Sequence, residues 1–148
     1  MAAKSPKGGV LFAVIGAKMS EGINFGDELA RLVVVIGVPY PQIQNPVLKE
    51  KRKFIELQYG MEAGSAMYEN LAMKAVNQAI GRSIRHKEDY ATVLLLDARY
   101  SNIAMISEDV QRKTGKLGLP KWMRPALSVQ STADSVLREL RLFFDKRK

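Results

Sequence analysis

Three short apolar runs constrain the fold more than any other feature of this sequence. They are Val10 to Ile15, Leu32 to Val38 and Thr92 to Leu96, and each is continuous instead of alternating with polar residues. Continuous apolar runs of this length are typical of strands that are buried on both faces, as in parallel sheets. Because helical stretches separate the runs, we expect an α/β fold, with a mostly parallel sheet flanked by helices.

Capping signals and periodicity indicate where the helices between these strands lie. The Asn45-Pro46 pair predicts a helix to about Tyr59, because Asn caps helices well and Pro suits the first helical position. After a glycine-containing break from Gly60 to Gly64, a long helix is expected from about Met67 to Ile84.

The C-terminal third of the chain gives weaker signals. Ser131 or Thr132 is expected to cap a last helix, whose apolar stripe can dock on a core. That stripe consists of Val136, Leu140, Phe143 and Phe144. Before it, three short elements are expected: a helix near Ser107 to Lys113, a turn at Lys121 to Arg124 and a strand at Leu127 to Val129.

Composition excludes several classes of site. The 148 residues include no Cys and one His, which excludes disulfides, a thiolate nucleophile and Cys- or His-clustered metal centres from this chain, so no metal site is expected. The longest apolar run is too short to span a bilayer, and no membrane partner is expected. Residues 1–9 are predicted to be a flexible leader and residues 10–148 a single domain.

The positive charge is concentrated in the last quarter of the chain. The net charge is +8, and residues 111–148 carry ten Lys or Arg against three Asp or Glu. A basic segment on a nearly neutral body favours a polyanionic partner. A solvated, basic C-terminal helix explains the same charge equally well.

The predicted long helix has a polar face that bears two arginines. Gln78, Arg82 and Arg85 follow an i, i+4, i+7 spacing, which places them in one sector of a helix. The opposite side is apolar and is expected to pack on the sheet: Met73, Val76, Ile80 and Ile84. Gly81 costs about 1 kcal/mol in a helix relative to Ala, which suggests a close approach to the backbone there. Two parallel guanidiniums suit phosphate oxygens, although a solvated helix face is the alternative.

The loop after the first apolar run is a second candidate site. In α/β sheets, ligands bind beyond the carboxyl ends of the strands, where this loop is expected. Lys18 and Ser20 can bind phosphate oxygens, and Asn24 can bond a sugar hydroxyl. Gly22 permits a close backbone approach. An ordinary strand-to-helix connection is the alternative.

Together, the two segments resemble motifs of a known enzyme family. Ser20 to Phe25 (SEGINF) looks like motif V of superfamily 2 helicases, and Gln78 to Arg85 matches their motif VI, Q-x-x-G-R-x-x-R. The turn from Gly37 to Pro41 and the run from Ile84 to Asp89 narrow the resemblance to iron–sulfur DNA helicases of the XPD type. The ChlR/Chl branch is the most similar, over about residues 8–145, through GAKMSEGINF (16–25), YENLAMKAVNQAIGRSIRH (68–86), LLLDARY (94–100) and LPKWMR (119–124).

The resemblance implies a fold and an activity. The chain would be the C-terminal part of the second RecA-like domain, hence a partial RecA-like fold, of an ATP-dependent DNA helicase that moves along single-stranded DNA. It would act in DNA repair in the nucleus. Arg82 and Arg85 would reach the ATP phosphates, with Arg85 as the arginine finger, and Gln78 would lie near the γ-phosphate or the attacking water.

The resemblance also assigns roles to residues outside the arginine-bearing face. Four residues would line the ATP site and couple nucleotide state to DNA binding: Glu21, Gly22, Asn24 and Gly81. The DNA contacts would come from Lys18, Ser20 and Tyr40. For Tyr40, a packing role in a Pro-rich turn is the alternative.

Parts of a helicase motor are absent from this sequence. It contains no P-loop and no Asp-Glu-x-His box, which hold phosphates and Mg²⁺ in such enzymes. The resemblance therefore places the MgATP-holding residues and the iron–sulfur cluster in a missing N-terminal half, and the isolated chain is predicted to hydrolyse no ATP. The alternative is a non-catalytic nucleic-acid-binding or regulatory module derived from such a helicase.

Overall fold

The computed structural model describes residues 8–16, 29–84, 86–104 and 118–147. Within them the chain forms two strands, four α-helices and one 3₁₀ helix. In chain order these are β1 (Leu32–Ile36), α1 (Pro46–Tyr59), α2 (Met61–Ile80), β2 (Thr92–Leu96), α3 (Arg99–Ala104), the 3₁₀ helix (Lys121–Ala126) and α4 (Ala133–Asp145).

Strands β1 and β2 form a parallel pair, which confirms the predicted α/β class. Leu32 lies opposite Thr92 and Ile36 opposite Leu96, and the connection between them runs through α1 and α2. The valines of β1 suit a pleated, packed surface because they are β-branched. The strand ends at Ile36, two residues before the predicted end, because Gly37 has a φ of 72°, a conformation that side chains other than glycine rarely adopt.

The prediction of a buried first strand over Val10 to Ile15 is wrong. Residues 8–16 form no strand, and Val10, Phe12 and Val14 are each at least 77% exposed. A strand needs a hydrogen-bonding neighbour, and among the described residues the sheet consists of β1 and β2. Only the end of this run contributes to packing, because Ile15 lies against the core.

Helix α2 supplies half of the core residues. The core consists of Val35, Val38, Ala72, Met73, Val76, Ile80, Tyr100 and Leu119. The prediction that Met73, Val76 and Ile80 pack towards the sheet is confirmed, since none is more than 2% exposed. Burial of such side chains contributes about 1.5–3 kcal/mol each and fixes the position of α2 on the sheet.

Both ends of α2 differ from the prediction. The helix begins at Met61, directly after Gly60 with its φ of 92°, so only one residue interrupts the helices. Gly64 does not interrupt the helix. It lies where α1 approaches, and a Cβ there would overlap the side chain of Glu56, so the close approach explains the glycine. The helix ends at Ile80, four residues early, with Gly81 as its C-cap.

The C-terminal region combines confirmed and wrong predictions. Helix α4 begins after Thr132, whose Oγ1 accepts a hydrogen bond from Ser135 N at 3.2 Å. The predicted turn corresponds to the 3₁₀ helix. Residues 127–130 form no strand, because no neighbouring strand pairs with them in the described chain. The helix predicted over 107–113 lies outside the described residues, and α3 was not predicted.

Candidate functional site

The end of α2 and the turn that follows it carry predicted nucleotide contacts. Gln78 lies on the exposed side of the last helical turn, and Arg82 is half-buried in the turn that follows. Backbone bonds tighten this turn, because Arg82 N donates to Ala79 O and Ser83 N donates to Ile80 O, the spacing of a 3₁₀ turn. The free-energy cost of a glycine in a helix interior therefore does not apply to Gly81, because Gly81 ends the helix. The prediction that Gln78, Arg82 and Arg85 share one face of a continuous helix is wrong, because the helix ends at Ile80 and Arg82 lies in the turn beyond it. Arg85 lies outside the described residues.

Buried polar side chains hold this turn in place. Ser83 is fully buried, and its hydroxyl donates to Ile80 O at 2.8 Å. Asn77 Nδ2 donates to Gly118 O at 3.3 Å, which ties the end of α2 to the segment before the 3₁₀ helix. The sequence reasoning missed both residues, because neither is charged or part of an apolar stripe.

An ion pair fixes the segment that leads from Arg82 to β2. Arg31, just before β1, donates through Nη1 to Asp89 Oδ1 at 2.9 Å and to Tyr90 O at 2.8 Å. The Asp89 side chain is fully buried and also accepts from Tyr90 N at 2.9 Å. The Arg31 guanidinium carbon lies 4.0 Å from the centre of the Tyr90 ring. The amino-terminal ends of both strands are thereby linked. We call Arg31, Asp89 and Tyr90 the amino-edge cluster.

A second cluster lies at the carboxyl ends of the strands. The Tyr40 and Tyr68 rings stack with centres 5.2 Å apart and an angle of 12° between planes. Tyr68 Oη donates to Pro41 O at 2.8 Å, which fixes the turn after β1. Tyr40 also packs against the core. These contacts show that Tyr40 packs within the domain, while its contact with DNA stays a prediction.

Arg99 and Asp97 complete the cluster at this edge. Arg99 donates to the Asp97 carboxylate through Nε at 2.8 Å and Nη2 at 2.6 Å, and its guanidinium carbon lies 5.5 Å from the Tyr40 ring centre. These hydrogen bonds lower the pKa of Asp97 to about 2. We call Arg99, Asp97, Tyr40 and Tyr68 the carboxyl-edge cluster. Burial raises the pKa of the neighbouring Tyr100 to about 12, and its hydroxyl donates to Gly37 O.

The described site residues fall into two separate groups. Gln78, Gly81 and Arg82 lie together at the end of α2. Tyr40 is stacked on Tyr68, ten residues before Gln78, which corresponds to about 15 Å along the helix axis. The other predicted contacts lie outside the described residues: Lys18, Ser20, Glu21, Gly22, Asn24 and Arg85.

The chemistry available at these sites is cationic and aromatic. Among the described residues, no group of three or more His, Cys, Asp or Glu could hold a metal ion. No helix in the described ranges is long and apolar enough to cross a membrane. The guanidiniums of Arg82 and Arg99 are groups that suit anionic or planar ligands.

Comparison with known proteins identifies the family. The profile described as Helicase C-terminal domain matches residues 2–125, most of the chain. This chain belongs to that family. It is 47% identical over 144 residues to the ATP-dependent DNA helicase chl-1 of Caenorhabditis elegans, covering 97% of this chain and 16% of that protein.

Two further relatives of this helicase C-terminal domain give the same result. The ATP-dependent DNA helicase DDX11 of Danio rerio is 40% identical over 145 residues, covering 95% of this chain and 15% of the relative. The ATP-dependent DNA helicase chl1 of Schizosaccharomyces pombe is 40% identical over 146 residues, covering 95% of this chain and 16% of the relative. The predicted resemblance to the Chl branch is confirmed. The domain spans about one-sixth of the length of these relatives.

Proposed function

We propose that this domain contributes motif V and the arginine-bearing motif VI to the ATP site of a DNA helicase, and that it forms part of the path of single-stranded DNA. Three relatives that share 40–47% of its residues bear the name ATP-dependent DNA helicase. The observation that carries the proposal is the asymmetry of α2. One side buries Met73, Val76 and Ile80 in the core, while Gln78 stays exposed and Arg82 half-buried at its end.

At the ATP site, the domain supplies positive charge and hydrogen-bond donors. Arg82 and Arg85 neutralise charge on the transferred phosphoryl group, with Arg85 as the finger. Gln78 hydrogen-bonds near the γ-phosphate or the attacking water, and Gly81 lines the site. MgATP itself is held by a P-loop and acidic residues of an N-terminal half, because this chain contains neither motif.

The loop after residue 16 couples nucleotide state to DNA in this proposal. Glu21, Gly22 and Asn24 form the link to the ATP site, and Lys18 and Ser20 contact the DNA backbone. Tyr40 shapes the neighbouring part of the path. By its resemblance to the iron–sulfur DNA helicases, the complete enzyme would carry an iron–sulfur cluster in its N-terminal half and would act in the nucleus. This chain has no Cys that could ligate the cluster.

The test is a substitution in the enzyme formed by joining this domain to the P-loop-bearing half. The substitution Arg85→Ala should lower ATP turnover in the presence of single-stranded DNA by a factor of about 10³ or more, because the transition state loses the arginine that stabilises its charge. DNA affinity, measured by fluorescence anisotropy, should change little. Arg138→Ala, an exposed arginine of α4, serves as the matched control and should leave turnover unchanged.

Two outcomes would contradict this assignment. Equal losses of turnover and DNA affinity in Arg85→Ala would make that residue a DNA or structural contact. Unchanged turnover would show that Arg85 does not act at the ATP site.

A further inference from the structure

The carboxyl-edge cluster combines two stacked tyrosine rings with an exposed guanidinium close to one of them. Tyr68 stacks on Tyr40, and the Arg99 guanidinium lies over the Tyr40 ring. Tyr40 therefore already has planar partners within the protein. The side chain of Arg99, by contrast, is 54% exposed, so the guanidinium is the surface that this stack offers to a ligand.

The Arg99 guanidinium is held in a fixed plane. Asp97 accepts from both Nε and Nη2 in a two-point contact, and it also accepts from the Arg99 backbone N–H at 2.9 Å. A two-point contact orients a guanidinium, whereas one hydrogen bond leaves it free to rotate. The flat surface therefore exists before any ligand arrives, which lowers the entropic cost of stacking on it.

The charge of this platform differs from that of a phosphate anchor. The low pKa of Asp97 keeps its carboxylate ionised near neutrality, and the pair Asp97–Arg99 is close to neutral overall. A phosphate would gain little Coulomb energy here and would meet the carboxylate. A weakly hydrated guanidinium plane instead suits stacking by an aromatic ring.

We infer that the Asp97–Arg99 pair is a stacking platform for one base of single-stranded DNA. The platform lies where β1 and β2 end, the edge at which α/β sheets bind ligands. This inference rests on the proposed function, because it assumes that single-stranded DNA passes this edge. In addition to that function, the inference states that the pair stacks on the planar base and contributes almost nothing to phosphate binding.

The test compares DNA with and without bases. The full 148-residue chain is titrated with a fluorescent thymidine oligonucleotide and with an abasic oligonucleotide of equal length, in low and in physiological salt. The chain should bind the thymidine strand about five- to tenfold more tightly, the contribution typical of one stacked base. Arg99→Lys keeps the charge but loses the plane, so it should abolish this preference and leave abasic binding unchanged.

Two further variants separate stacking from charge. Asp97→Asn removes the compensating carboxylate, so the dependence of log affinity on log salt should steepen by about 0.7, the value for one phosphate contact on a single strand.

Arg147→Lys is the matched control, because Arg147 also lies over aromatic rings, those of Phe143 and Tyr90, but in another part of the domain. It should retain the base preference.

The outcomes distinguish this inference from the proposed function. Equal binding of the two oligonucleotides by the unmodified chain overturns the platform and leaves the DNA path intact. A base preference that survives in Arg99→Lys also overturns it. Failure to bind either oligonucleotide contradicts the DNA path itself, and the platform with it.

Discussion

The two ends of the sheet use the same chemistry in different environments. Each has an Arg–Asp ion pair with the guanidinium over a tyrosine ring, at 4.0 Å in the amino-edge cluster and 5.5 Å in the carboxyl-edge cluster. Arg31 is 29% exposed and its Asp89 partner fully buried, whereas Arg99 is 54% exposed. A buried pair holds segments together, while an exposed pair of the same composition is open to a ligand. We therefore expect stability to depend on the first and binding on the second.

The largest expected effect follows from removing the buried carboxylate. Asp89→Ala removes the carboxylate that pairs with Arg31 and that accepts from Tyr90 N, and it leaves Arg31 only its contacts with Tyr90. The free energy of unfolding, measured with urea, should fall by about 2 kcal/mol, below the usual cost of breaking a fully buried pair because Arg31 is partly exposed. The matched variant Asp97→Ala should change it much less. Equal losses of unfolding free energy in the two variants would contradict the claim that the buried pair stabilises the fold more than the exposed pair.

A smaller effect is expected where the carboxyl-edge cluster contributes to packing. Tyr68→Phe keeps the stack on Tyr40 but removes the hydrogen bond to Pro41 O. Unfolding free energy should fall by about 1 kcal/mol, the usual contribution of one hydrogen bond. Tyr59→Phe, on an exposed tyrosine at the end of α1, should be neutral. A neutral Tyr68→Phe would mean that the turn after β1 holds without this bond.

The smallest expected effect is the acid titration of the exposed pair. The pKa of Asp97 lies at about 2, below its usual 3.8, so its pairing with Arg99 favours the folded state above pH 4 and is lost as the pH falls through 2. An NMR titration of the Asp97 carboxyl carbon should therefore show a midpoint near 2. In Arg99→Lys the midpoint should rise, because the two-point contact is lost. A midpoint at the ordinary Asp value in the unmodified chain would show that the pair is open in solution.

Local signals predicted the elements that depend on nearby residues. Asn45, Pro46 and Gly60 set the limits of α1, and helical periodicity identified the buried side of α2. The end of α2 was missed, because the helical pattern continues past Gly81 while the chain must turn to enter β2. The run from Val10 was also misread, since apolar composition does not supply a hydrogen-bonding neighbour.

The candidate site was less predictable from local pattern. Arg31 and Asp89 are 58 residues apart in sequence, and only the parallel pairing of β1 with β2 brings them together. The same pairing places Asp97 and Arg99 beside the turn that follows β1. Residue spacing identified Gln78 and Arg82 as candidates, and resemblance to the helicases added Tyr40, but neither could show that Tyr40 is already stacked on Tyr68.

We propose that this domain completes an ATP site whose phosphate-holding part lies in another half of the helicase. The most direct measurement compares ATP hydrolysis, with single-stranded DNA present, by this chain alone and by the chain joined to the P-loop-bearing half. We predict no activity above background for the chain alone and DNA-stimulated hydrolysis for the joined enzyme. DNA-stimulated hydrolysis by the purified chain alone, abolished by Arg85→Ala, would show that this chain carries a complete ATP site and would contradict the proposal.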